Sequence, residues 1–326
     1  MTQAHPLVEL WRGPLLESVH AGHAVVCDAS GEVVEAWGDP DAVIFPRSSC
    51  KMLQALPMVE AGVKLPPERL ALACASHEGA VVHTEAVRAW LSDIGCGDGD
   101  LVCGNEAPRD RGLKHAMIRA GETPCQAHNQ CSGKHTGFLT FHRHLGAGGV
   151  YVDPDGPVQK AVRQTFVDVT GEDSPCFGID GCAAPNFATT VTGLARAMAR
   201  FAAATGGDAR SDAMVALREA MMAHPFLVAG DGKTTTRFME AAKGRAAVKV
   251  GAEGVYVAIL HERKLGVALK ITDGAVRAAD TAMAALLVRL GILDKTDSAV
   301  ASVLDAPILN RAGVEVGLTR AAPGFC

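Results

Sequence analysis

Ser48 and Lys51 stand three residues apart in Phe45-Pro46-Arg47-Ser48-Ser49-Cys50-Lys51. On a helix this spacing puts a hydroxyl and an amine on one face, so the lysine can take the serine's proton once burial lowers its pKa. The chemistry is that of a nucleophile with its base. As a bare pattern, Ser-x-x-Lys also describes a capping serine beside a solvated lysine. Pro46 favours an extended approach at Ile44 and Phe45, and Met52, Leu53, Leu56, Met58 and Val59 give the following helix an apolar face to bury. Ser48 is therefore expected at or near a helix N-terminus, where unpaired backbone N–H groups favour developing negative charge.

Other polar clusters lie downstream. His128-Asn129-Gln130-Cys131-Ser132-Gly133-Lys134-His135-Thr136-Gly137 leads straight into Phe138-Leu139-Thr140-Phe141. Burying such a stretch requires paired polar groups, which favours a site over plain scaffold. It is not a phosphate-binding loop, because position 128 lacks the glycine and His135 stands where a serine or threonine belongs. Gly230-Asp231-Gly232-Lys233-Thr234 fails the same pattern at Leu227. Ser76-His77-Glu78-Gly79 follows an alanine- and leucine-rich stretch, where His77 can orient a substrate or simply turn the chain. Asp180-Gly181-Cys182-Ala183-Ala184-Pro185 reads as a loop carrying an acid and a thiol. Lys249-Val250-Gly251 closes a strand and could aim an ammonium at a carboxylate or at Ser48.

The elements that must position these residues fall into three blocks. Residues 7–38 read as antiparallel strands, with a hairpin turning at Ala29-Ser30-Gly31. From about 51 to 245 the pattern is helical with glycine-broken loops, and helices are expected over 69–75, 84–94, 157–170, 187–204 and 211–223. Residues 121–133 read as loop. Strand character returns over 246–250, 255–260 and 266–271, followed by a helix over 276–290 and only short structure in 291–326. Strands at both ends meet most simply in one antiparallel sheet, with the helical middle on one side. The expected class is α+β, a single globular catalytic unit over 1–326, with sheet regions 1–46 and 246–326 and a helical region 47–245. Ser48 falls where the first strands hand over to the helices, and Lys249 where the helices hand back.

Composition narrows the function. The chain has 326 residues, 48% hydrophobic and 21% charged, enough for a large core, and its net charge of −5 gives no reason to expect nucleic acid or an anionic membrane surface as partner. No basic stretch followed by an apolar run opens the sequence and no uncharged apolar segment reaches membrane-spanning length, so a cytoplasmic protein is expected. The ten cysteines then read as reduced thiols, mostly small buried side chains. No cysteine pair has zinc-finger spacing and no His-Glu-x-x-His occurs, so any metal would need ligands gathered from distant segments.

Taken together, Arg47-Ser48-Ser49-Cys50-Lys51, Ala75-Ser76-His77, Asn129 to Gly137, Asp180-Gly181-Cys182 and Lys249-Val250-Gly251-Ala252-Glu253-Gly254 resemble the rhizobial-type L-asparaginase family. The resemblance runs over residues 7–301. It implies a fold like that of serine β-lactamases and penicillin-binding proteins, a homodimer, and hydrolysis of L-asparagine to L-aspartate and ammonia. Ser48 resembles the family's nucleophile and Lys51 its base, with Ser76 and Lys249 as a second serine-lysine pair assisting proton transfer. For either lysine to act as a base it must be neutral at working pH. The family also holds zinc through two cysteines and a lysine, which here match Cys131, Lys134 and Cys182, with water as the fourth ligand. Asp180 and His135 resemble residues that orient those ligands, and Arg47, His77 and Asn129 are further candidates to orient substrate. Val250 stands where the broader β-lactamase pattern has a hydroxyl, which argues against β-lactam chemistry. Competing readings are another acyl-transfer enzyme, such as a glutaminase, β-lactamase or peptidase, and a non-catalytic zinc-containing amino acid binder.

Overall fold

The computed structural model describes residues 3–326. Twelve strands occur among them: β1 (His5–Arg12), β2 (Leu15–Cys27), β3 (Val33–Trp37), β4 (Val43–Ile44), β5 (Phe177–Ile179), β6 (Pro185–Phe187), β7 (Thr189–Thr190), β8 (Ala247–Val250), β9 (Val255–Leu260), β10 (Leu265–Ile271), β11 (Ala306–Leu309) and β12 (Glu315–Ala321). The α-helices are α1 (Lys51–Glu60), α2 (Pro67–Ala73), α3 (Val81–Asp93), α4 (Arg111–Ala120), α5 (Ser132–His144) and α6 (Pro157–Thr170). They continue as α7 (Val191–Ala203), α8 (Ala209–Ala223), α9 (Pro225–Ala229), α10 (Thr234–Ala242), α11 (Val276–Arg289) and α12 (Ser298–Ala301).

The main sheet is antiparallel in the order β11-β12-β1-β2-β10-β9-β8, with β3 also paired to β2. Both chain ends build it, and the helical middle packs against it, giving the α+β class expected. Every residue of β9 is buried, because α7 packs on the sheet at β10, β2 and β9 while α11 packs on β1, β9, β10 and β12. Gly266 allows the close approach of α7: a Cβ there would lie 2.0 Å from the Ala199 nitrogen and 2.2 Å from the Ala195 oxygen. Thr190 starts α7 by accepting the Gly193 N–H on its hydroxyl, and an alanine-rich sequence continues it.

Three parts differ from the sequence expectation. The last segment supplies two strands of the main sheet, β11 and β12, the latter paired with β1 from Val8↔Ala321 to Arg12↔Gly317. The helix expected over 187–204 begins only at Val191; its first residues fall in β6 and β7, which pair with β5 and β4. Residues 121–133 hold a short 3-10 turn at Gln126–His128, and α5 begins at Ser132. Among the described residues no helix is long and apolar enough to cross a membrane.

Candidate active site

Ser48 lies in a 3-10 turn, Arg47–Cys50, that runs directly into α1. Arg47 has φ 54°, a left-handed conformation that costs a non-glycine residue about 1–3 kcal/mol unless its surroundings hold it. Its guanidinium donates to Asp180 Oδ1 from Nη2 at 2.8 Å and from Nε at 3.1 Å, which ties the turn to the loop between β5 and β6. Burial alone would raise the Asp180 carboxyl, but the Arg47 contacts outweigh it and hold the group below its ordinary value. Gly251, just past β8, presses on the same turn. A Cβ there would sit 2.8 Å from the Pro46 oxygen and 3.0 Å from the Ser49 nitrogen, so only glycine lets the strand end reach Ser48.

The Ser48 and Lys51 spacing predicts a direct meeting of the two side chains. The structure turns Lys51 elsewhere. Its amine, 1% exposed, needs buried partners and finds Ser76 Oγ at 3.0 Å, Cys131 Sγ at 3.1 Å and the Ala75 carbonyl. Lys249, fully buried on β8, donates to Ser76 Oγ at 2.8 Å and to the Val250 carbonyl at 2.8 Å. Ser76 is thus held between two lysines, one from each side of the site. Burial, and next the neighbouring Lys51 charge, push the Lys249 pKa well below that of an ordinary lysine.

Behind Lys51 is a second group of side chains. Cys131 closes the turn before α5, and Lys134 in the first turn of that helix donates to Cys182 Sγ at 3.0 Å. Cys131 is held well below the ordinary thiol value by its hydrogen bond with Cys182, against burial, with help from the two lysine charges. Cys182 moves the other way, raised by the same hydrogen bond and by burial. One thiolate and one thiol therefore share a proton. Burial would lower the Lys134 pKa, yet the negative charge that Cys182 and Cys131 share keeps it raised. Two sulfurs and an amine converging on one point suit a borderline-soft tetrahedral cation. Among the described residues no group of three His, Cys, Asp or Glu side chains could hold a metal, so the lysine is essential to such a site.

The remaining candidates support this frame. His77 Nδ1 accepts the Gly79 N–H at 3.0 Å, which leaves Nε2 to donate to Ser132 Oγ at 2.9 Å. Asn129 donates to the Cys103 and Gly104 carbonyls and accepts the Cys131 N–H at 2.8 Å, fixing the turn that carries the thiol. His135 is buried and meets the Tyr151 hydroxyl at 3.0 Å through Nδ1, while its Nε2 has no partner among the described residues. All ten cysteines are free, and burial pushes the Cys50, Cys74 and Cys103 thiols up to about 12, as expected of inert scaffold.

A cleft of about 780 Å³ opens over the site, and Arg47, Ser48, Ser76, Asn129, Cys131 and Cys182 are on its wall. Lys51, Lys134 and Lys249 are underneath it. Among the wall residues that the sequence did not mark as candidates are Thr234 and Asp280. Asp280 had a signal: it is the single acid in the alanine-rich run of α11, among the buried Ala278, Ala279 and Ala282.

A family model described as L-asparaginase II matches residues 8–321. No curated protein matches the chain. Among solved structures, a β-lactamase from Mycobacterium bovis aligns at 13% identity over 82% of this chain and 94% of its own, with a TM-score of 0.44. An octameric penicillin-binding protein homologue from Pyrococcus abyssi aligns at 12% identity over 85% of this chain and 75% of its own, with a TM-score of 0.38. The assignment rests on the family match, which takes in every residue of the cleft described above: this chain belongs to the L-asparaginase II family and is an asparaginase-type amidohydrolase.

Proposed function

We propose that the chain hydrolyses the side-chain amide of L-asparagine to L-aspartate and ammonia by acyl transfer through Ser48. The observation that carries this reading is Ser76 Oγ bonded by both Lys51 and Lys249 at the edge of a cleft that Ser48 also lines. Ser48 Oγ attacks the amide carbon, and its proton passes by way of Ser76 to the lysine pair, with Lys249, the amine of lowered pKa, as the acceptor. The same relay returns the proton to the leaving nitrogen, releasing ammonia and leaving an aspartyl ester on Ser48. Water then attacks the ester, giving its proton to the relay and freeing Ser48. The oxyanion is met by the N–H of Ser48 and by that of Ala252, since the Gly251 N–H is already donated to the Val255 carbonyl.

A second reading makes Ser76 the nucleophile. It is favoured by one observation: both lysines bond Ser76, and no hydrogen bond joins Lys51 to Ser48. The serine that carries the acyl group separates the two.

Zinc belongs to the same proposal, held by Cys131, Lys134 and Cys182. When bound it would supply a fixed positive charge beside the serines, suited to anchoring the amino acid end of the substrate. Arg47 keeps Asp180 in place next to Cys182, Asn129 fixes the Cys131 turn, and His77 and His135 brace the loops behind them. The functional form is a cytoplasmic homodimer in which each chain is one catalytic unit.

The test is ammonia release from L-asparagine with L-glutamine in parallel, together with the metal content of the purified protein. Asparagine is expected to be favoured by about 10- to 200-fold in kcat/KM, the range one methylene allows. Zinc is expected at one per chain in the wild type and absent from Cys182→Ser. No ammonia from either amide, with zinc supplied from neutral to alkaline pH, would end the asparaginase reading for this cleft.

A further inference from the structure

Five carboxylates face the cleft: Glu78, Glu106, Asp180, Glu253 and Asp280. Four have a cation in reach. Lys233 lies 2.6 Å from Glu78, Arg109 3.1 Å from Glu106, and Arg47 2.8 Å from Asp180 and 3.9 Å from Glu253. Asp280 has none among the described residues; its one side-chain partner is the Thr234 hydroxyl, which donates to Oδ2 at 3.0 Å. Thr234 opens α10, and the adjoining Thr235 is bonded to the Tyr256 hydroxyl on β9 at 2.7 Å, so the wall around Asp280 is fixed to the sheet. The segment leading into α10 also reaches the reacting groups, because the Ser76 N–H donates to the Val228 carbonyl at 2.8 Å. Burial raises the Asp280 carboxyl to about 6, against the lowering effect of Thr234. At neutral pH it is therefore mostly ionised, half-buried in the cleft wall and without a counter-charge among the described residues, a cost to the fold that an incoming cation would remove.

We propose that Asp280, oriented by Thr234, forms a primary-ammonium subsite of the cleft and takes the α-ammonium of the amino acid substrate. The substrate identity rests on the asparaginase reading above; the subsite rests on the missing counter-charge.

The test compares L-asparagine with succinamic acid, the same amide without the ammonium, on wild type and Asp280→Asn. The variant is expected to lower kcat/KM for L-asparagine by about 10- to 100-fold, mainly through KM, and to leave succinamic acid within about threefold. It is also expected to raise Tm at pH 8, because the uncompensated charge is gone; a purely structural aspartate would lower it. Equal losses on both substrates, or unchanged asparagine kinetics, overturn the subsite. Calorimetric binding of both ligands to both proteins keeps the two claims apart. Absent ammonia release counts against the asparaginase reading alone, whereas L-asparagine binding weakened by Asp280→Asn supports the subsite. L-asparagine binding that is unchanged or undetectable overturns it. If Asp280→Asn does not fold, Thr234→Val must shift the preference between the two ligands in the same direction, and no shift overturns the proposal.

Discussion

Replacing Ser48 by alanine lowers kcat for L-asparagine by on the order of 10,000-fold or more, and replacing Ser76 comes close to the same loss. The reason is that neither serine works alone. Ser48 supplies the oxygen, while Ser76 is the group through which Lys51 and Lys249 receive and return the proton, at 3.0 and 2.8 Å. Removing Ser76 leaves Ser48 without a path to a base, and removing Ser48 leaves the relay with no oxygen to deprotonate. The losses should therefore not add, and the double variant should match the slower single variant within about tenfold. Ammonia release from the three variants measures this. Activity near wild type in Ser76→Ala would remove the relay from the mechanism.

Lys249→Met should lower kcat by about 1,000-fold, within the range for losing a positioned base. The same change should raise thermal stability. Lys249 is fully buried beside a second lysine, and its pKa is pushed down by burial first and by the Lys51 charge second. The folded state therefore holds this proton less tightly than the unfolded chain does. Between the lowered value and the ordinary lysine value the unfolded state binds more protons, so stability rises with pH across that window. At neutral pH the unmodified lysine is a cost that an apolar side chain of similar length removes. Activity follows the same group: wild-type kcat/KM should climb from acid pH as Lys249 loses its proton, and Lys249→Met should lack that acid limb. Thermal melts and pH-rate profiles of the two proteins check both halves. A destabilised variant that keeps the wild-type pH profile would show Lys249 to be packing rather than chemistry.

Much of this site is legible in the sequence because reactive residue types are placed in short motifs at element boundaries. Ser48, Ser76 and Lys249 each stand where the pattern changes, and the strand character of both chain ends already implies a shared sheet above them. The partner of Lys51 is not legible. Spacing along a helix offers Ser48, but a fully buried amine takes the polar groups that tertiary packing supplies, here Ala75, Ser76 and Cys131. β12 is missed for a related reason: its side chains are mostly half-buried, and its pairing with β1 spans nearly the whole chain, so local alternation is weak. Arg47 carries no glycine signal for its left-handed backbone, which is held by an ion pair with a residue more than a hundred positions away. Asp280 shows the converse case. One acid on an otherwise alanine-rich helix face is visible in the sequence, but its meaning depends on a cleft that only the fold creates.

The central claim is that the amide is cleaved by acyl transfer to Ser48. The most direct measurement is to quench the enzyme during turnover of L-asparagine and locate the acyl group by peptide mass spectrometry, with hydroxylamine added in a parallel reaction. An aspartyl ester on Ser48, and aspartyl hydroxamate formed at the expense of aspartate, is the predicted result. An ester on Ser76 with Ser48→Ala still active would contradict it, as would steady ammonia release with neither ester nor hydroxamate.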